Sequence, residues 1–199
     1  QSDWHSDNPR TVTIENVNTN EHYAIVISTN GGLWRYRVGD TVRFTSTKPF
    51  TLVVSGRVKH YINAFGEEVI VDNADRAIEQ TCLATNAKVR DYTVAPVYLE
   101  LGRQGCHEWL IEFESAPPDL GRFASLLDQN LRGINSDYDA KRSYNLALRE
   151  PVVRALPADT FYNWLKTKGK LGGQHKVPRL SNDRTYADEI LQAAFADPQ

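Results

Sequence analysis

A chain of 199 residues, 41% hydrophobic and 10% aromatic, carries enough apolar material for a packed core, which excludes wholesale disorder. A formal charge of −2 provides no global basic field, so nucleic acid is not an expected partner. No apolar run reaches the ~18 residues of a membrane-spanning helix and no leading segment resembles a secretion signal, so a cytoplasmic protein without a membrane partner is expected.

Short β-type runs come first. Thr11–Ile14 alternates, Tyr23–Ser28 is nearly continuous in apolar residues, and Asn30-Gly31-Gly32 signals a turn before Leu33–Tyr36. Val42–Phe44 and Thr51–Val54 complete about five predicted strands, the density of a small antiparallel barrel or meander. After Ser55-Gly56 the pattern changes. A hairpin is expected about Ala64-Phe65-Gly66, then a helix over Ala74–Thr85 with Asn73 as its N-cap. Strands are predicted over Val89–Tyr98, Trp109–Phe113 and Val152–Leu156. Helices are predicted over Asp119–Leu131, Ser136–Asn145, Thr160–Lys168 and Thr185–Ala194. The resulting expectation is an α+β chain: a small β subdomain over 1–55, then an α+β domain over 56–199.

Cys82 and Cys106 have no metal-ligand spacing and read as reduced thiols, and the five histidines are scattered, so no metal site is expected. Trp109, Trp164, Tyr98 and Phe113 read as core. Asp91, Asp137 and Asp139 read as turns, caps or surface. The chain begins at Gln1 and contains no methionine. A piece of a longer protein is expected, with spacings a residue short wherever a methionine has been lost.

Three motifs carry chemistry. In Tyr36-Arg37-Val38-Gly39-Asp40 the carboxylate, expected at a strand end, is either a solvated turn residue or an acceptor for two vicinal hydroxyls, as on a ribose. In Gly56-Arg57-Val58-Lys59-His60-Tyr61-Ile62, followed by Gly66-Glu67, Arg57 and Lys59 alternate. They line either a solvated hairpin face or a ligand, and Gly56 beside Lys59 would suit a joint between domains. Residues 169–179 form a basic loop with Gly169, Gly172, Gly173, Lys170, Lys176 and Arg179, either an exposed loop or a mobile group that neutralises phosphate. No Walker-type phosphate loop is present.

In this order the motifs resemble the C-terminal part of the auxin-responsive (Gretchen Hagen type) acyl-acid amido synthetases, in their bacterial branch, within the adenylate-forming superfamily. The resemblance implies a β subdomain ending a large catalytic domain, a hinge, and a mobile C-terminal lid. It implies that Asp40 holds the ATP ribose, that Arg57 assists, and that Tyr36 lies near the nucleotide. The hinge would fall at Gly56 and Lys59. Lys176, with Lys170 as the alternative, would meet the carboxylate and α-phosphate. ATP and magnesium would be the cofactors, and a small carboxylic acid and an amine or amino acid the substrates. The family's phosphate loop and acyl pocket are not in this sequence, so the missing N-terminal domain would be a required partner and the piece alone would be inactive. The alternatives are an acyl-CoA ligase using the same adenylation step, or a non-catalytic binding module.

Overall fold

The structure, a computed structural model, describes residues 8–57, 61–99, 104–143, 147–169 and 176–195. The chain divides into two units, Gln1–Lys59 and His60–Gln199. Together they give a mixed α+β fold.

The first unit is a three-stranded antiparallel sheet ordered β1 (His22–Ile27), β2 (Tyr36–Thr47), β3 (Phe50–Arg57). The expected strand at Thr11–Ile14 is not formed. Its end is a 3-10 turn over Ile14–Asn16, because apolar alternation alone cannot make a strand without a neighbour to receive its hydrogen bonds. The run Leu33–Tyr36 is not a separate strand either; β2 starts at Tyr36 and continues unbroken through Val42–Phe44. Besides Pro9, only Val42 and Phe44 among the described hydrophobic residues of this unit are buried, whereas Trp34 is 82% and Val54 69% exposed.

The second unit begins with a hairpin of β4 (Tyr61–Ile62) and β5 (Val69–Ile70), leading into α1 (Val71–Thr85). Asn73 does not sit before α1 as its cap. It lies inside the first turn and its Oδ1 reaches back to accept from the Ile70 N–H, 3.2 Å away. The chain then passes through β6 (Lys88–Leu99), β7 (Gln104–Ser115), α2 (Leu120–Ile134), α3 (Ser136–Arg142), β8 (Val152–Leu156), α4 (Thr160–Thr167) and α5 (Thr185–Phe195). Asp119 caps α2 by accepting from the Arg122 N–H, and Asn135 caps α3 by accepting from the Tyr138 N–H.

Strand β7 is central, antiparallel to β6 and parallel to β8. It is therefore buried on both faces, and alternation divides its residues between two cores. Trp109 and Ile111 join Tyr92, Val94, Ala74, Phe123, Leu127 and Leu131 on the side of α1 and α2. Leu110 joins Ala95, Phe161, Trp164 and Ile190 on the side of α4 and α5. The latter face also buries Glu108 and Glu112. Glu108 is held by Arg154 and Arg184. Glu112 accepts from the N–H groups of Asp159 and Phe161, so it serves the open N-terminus of α4 from the strand beside β8. Of the four aromatics expected in the core, Trp109 and Trp164 are buried and Phe113 is half-buried, but Tyr98 is exposed near the end of β6.

Candidate functional site

In the first unit, Asp40 lies inside β2 and not at a strand end. Opposite β1 the register passes from Ala24↔Thr41 to Val26↔Arg37, so the stretch Val38-Gly39-Asp40 bulges from that ladder. Gly39 at the bulge has a φ of +89°, which disfavours any side chain. On its other side Asp40 stays paired, and its partner is Arg57. The two motif residues read as bracketing one ligand are thus opposite each other on neighbouring strands. Thr41 pairs with Gly56, whose φ is +152°. Tyr36 is exposed at the start of β2, opposite Ile27.

Behind this rung lies a polar chain that the sequence did not announce. The buried Ser55 hydroxyl donates to Thr41 Oγ1 at 3.2 Å, and His22 Nδ1 stands 2.9 Å from Ser55 Oγ. The three residues come from three strands, so no local spacing could have joined them.

In the second unit, Lys176 is exposed while the residues after it are fastened to β6. Thr93 Oγ1 donates to the Pro178 carbonyl at 2.7 Å, the Val94 N–H to the Arg179 carbonyl at 2.9 Å, and the Ser181 N–H to the Val94 carbonyl at 3.0 Å. Val177 and Leu180 are buried, one in each core. The Arg179 guanidinium lies 4.3 Å from the centre of the Tyr92 ring and 3.1 Å from Asp91 Oδ1. Asp91, read from sequence as turn, cap or surface, is half-buried on β6. Burial pushes its carboxyl above the usual range, against Arg179, the Tyr92 N–H and Lys176, which favour the charged form. Lys176 is therefore an exposed point charge next to a segment fastened to β6. Lys170 and Lys59 lie outside the described residues.

The turn between β4 and β5 is also fixed. Glu67 and His107 are both fully buried, with Oε1 and Nε2 2.8 Å apart, and the Phe65 N–H donates to Glu67 Oε2. Burial pushes the Glu67 carboxyl up, but His107 together with the N–H groups of Glu67 and Phe65 outweighs it and leaves the pKa below the ordinary value. Glu67 follows Gly66 in the motif, so its presence was legible; its partner was not.

Among the described residues no three His, Cys, Asp or Glu are grouped as metal ligands, and no helix is long and apolar enough to cross a membrane.

Comparison with known proteins covers both units. The GH3 family central domain matches residues 1–57 and the GH3 family C-terminal domain matches residues 72–185. No curated protein matches in sequence. Among solved structures, a GH3.15 acyl acid amido synthetase is similar with a TM-score of 0.72 and 18% identity, over 90% of this chain and 34% of that one. The AtGH3.15 acyl acid amido synthetase in complex with 2,4-DB is similar with a TM-score of 0.68 and 17% identity, over 93% of this chain and 35% of that one. The chain thus spans about a third of the length of these structures.

Proposed function

This chain belongs to the GH3 family, and from that premise we propose that it is the C-terminal portion of an ATP-dependent acyl acid amido synthetase. The whole enzyme would activate a carboxylic acid as an acyl-adenylate and pass the acyl group to an amine, such as that of an amino acid. The observation that carries this reading is the cross-strand pairing of Asp40 with Arg57. It gathers two motifs distant in sequence into one rung, where a carboxylate can accept from both ribose hydroxyls. Tyr36 would lie beside the nucleotide.

Residues 1–55 would be the β subdomain that closes the large catalytic domain, and 56–199 the mobile lid. The first unit's exposed Trp34 and Val54 support this, because a three-stranded sheet with so thin a core gains from packing on a larger body. Gly56 and Lys59 would form the hinge. Lys176, with Lys170 as the alternative, would balance charge developing at the α-phosphate and then be withdrawn as the lid turns. The magnesium of the reaction would supply charge neutralisation at the phosphates. The free thiols Cys82 and Cys106 fit a reducing compartment, the cytoplasm.

The test is pyrophosphate exchange by the full-length enzyme, followed by AMP release with each acceptor. Exchange that depends on a carboxylic acid, with amino acids driving AMP release, is expected; the isolated chain should show neither. Release driven by coenzyme A would make it an acyl-CoA ligase. No exchange with any acid would leave a binding module.

A further inference from the structure

We propose that Ser55 is a positioning residue: with His22 and Thr41 it pins the β3 bulge that sets Asp40 opposite Arg57. The inference rests on the reading of Asp40 as the ribose ligand, and adds what holds that carboxylate in register.

The ladder between β2 and β3 runs Asp40↔Arg57, Thr41↔Gly56, then Val42↔Val54. Ser55 is therefore the extra residue of a bulge, two residues from Arg57 and separated from that rung by the pair of Thr41 and Gly56. A bulged residue loses its ladder partner, and its place must be fixed by something else. Here that is its side chain. Ser55 is 5% exposed and gives its one hydroxyl proton to Thr41 Oγ1. The contact with His22 Nδ1 then needs a hydrogen on the ring, so His22 donates from Nδ1 into Ser55 Oγ. One hydroxyl ties β3 to β2 and, across it, to β1.

The consequence is geometric. Were the bulge lost while Val42 stayed opposite Val54, Thr41 would pair with Ser55 and Asp40 with Gly56, and Arg57 would slip past the rung. The glycines at 39 and 56, both at positive φ, soften the backbone on either side of this rung. They leave the Ser55 bracket as the element that selects the register.

The experiment measures ATP against 2′-deoxy-ATP in the full-length enzyme, with folding checked by circular dichroism and melting. Ser55→Ala should raise KM for ATP about tenfold with kcat within about twofold, the pattern of lost ground-state and transition-state binding alike. The preference for ATP over 2′-deoxy-ATP should fall by a similar factor. Ser55→Thr, which keeps the hydroxyl, should retain both. If Ser55→Ala does not fold, Thr41→Val removes the acceptor and answers the same question. Should Asp40→Ala weaken ATP while Ser55→Ala and Thr41→Val keep wild-type KM and preference, the bracket is a strut only and the proposal is overturned. Should Asp40→Ala change neither quantity, the ribose reading fails and the proposal falls with it. In the chain itself, ¹⁵N NMR should find the hydrogen on His22 Nδ1; a ring with Nδ1 bare would also contradict the bracket.

Discussion

Glu67 and His107 bury their side chains completely against each other, 2.8 Å apart, and so bolt the β4–β5 turn to the central strand β7. Removing one partner of a buried pair leaves the other uncompensated, at a cost of about 3–5 kcal/mol. Glu67→Ala should lower stability by that order in urea titration. Glu67→Gln, which can still accept a hydrogen bond, should cost clearly less. Equal losses would mean that the carboxylate's charge, and not the hydrogen bond, carries the contact.

The same pair sets an acid response. Glu67 has a folded pKa below its ordinary 4.5, as does Glu108, where burial is outweighed by Arg154 and Arg184. A depressed folded value means that the stabilisation is complete above the ordinary pKa and is lost as pH falls through the folded one. The urea midpoint should therefore fall as pH is lowered from about 5 through the carboxylate range. Glu67→Gln should flatten that slope, and an unchanged slope in the variant would contradict the assignment.

Gly105 has no room for a side chain. A Cβ there would lie 2.1 Å from Phe65 Cζ and 2.4 Å from the Val97 carbonyl oxygen. Gly105→Ala should destabilise by about 1–3 kcal/mol through overpacking. Adding Phe65→Ala should recover part of the loss, giving a non-additive double-mutant cycle. Additive losses would show that the backbone carbonyl alone makes the clash.

Arg179 holds the base of Lys176 by charge to Asp91 and by its plane on Tyr92. Arg179→Lys keeps the charge but loses the planar stacking. Both Arg179→Lys and Arg179→Ala should reduce adenylation in the full-length enzyme, the alanine variant more. Wild-type rates in both would show that the hydrogen bonds of Thr93 and Val94 suffice to place the loop.

Much of the fold was readable because its signals are local. The helical runs Ala74–Thr85 and Asp119–Leu131 and the strand run Val152–Leu156 each announce themselves within one element, although Leu83, read on the apolar stripe of the first, is 77% exposed. That Asp40 and Arg57 share a rung was not read from sequence, and neither was the place of Asp40 within β2, because a Gly-Asp pair reads as a turn while here Gly39 bends a strand that continues. What stayed hidden is the pairing of single residues across elements. Nothing near Asp91 points to Arg179, nothing near Glu67 to His107, and nothing near Ser55 to His22. Strand order is equally silent in sequence, which is why β8 lying parallel to β7 emerges only from the fold.

The central claim is tested most directly by resolving the two half-reactions of the full-length enzyme carrying Lys176→Ala. The account predicts that acyl-adenylate formation falls by about 10²–10³, the scale of one preorganised charge at a transition state, while transfer from pre-formed adenylate to the amine stays within a few-fold of wild type. An equal loss in both steps, or no loss in the first, would contradict it.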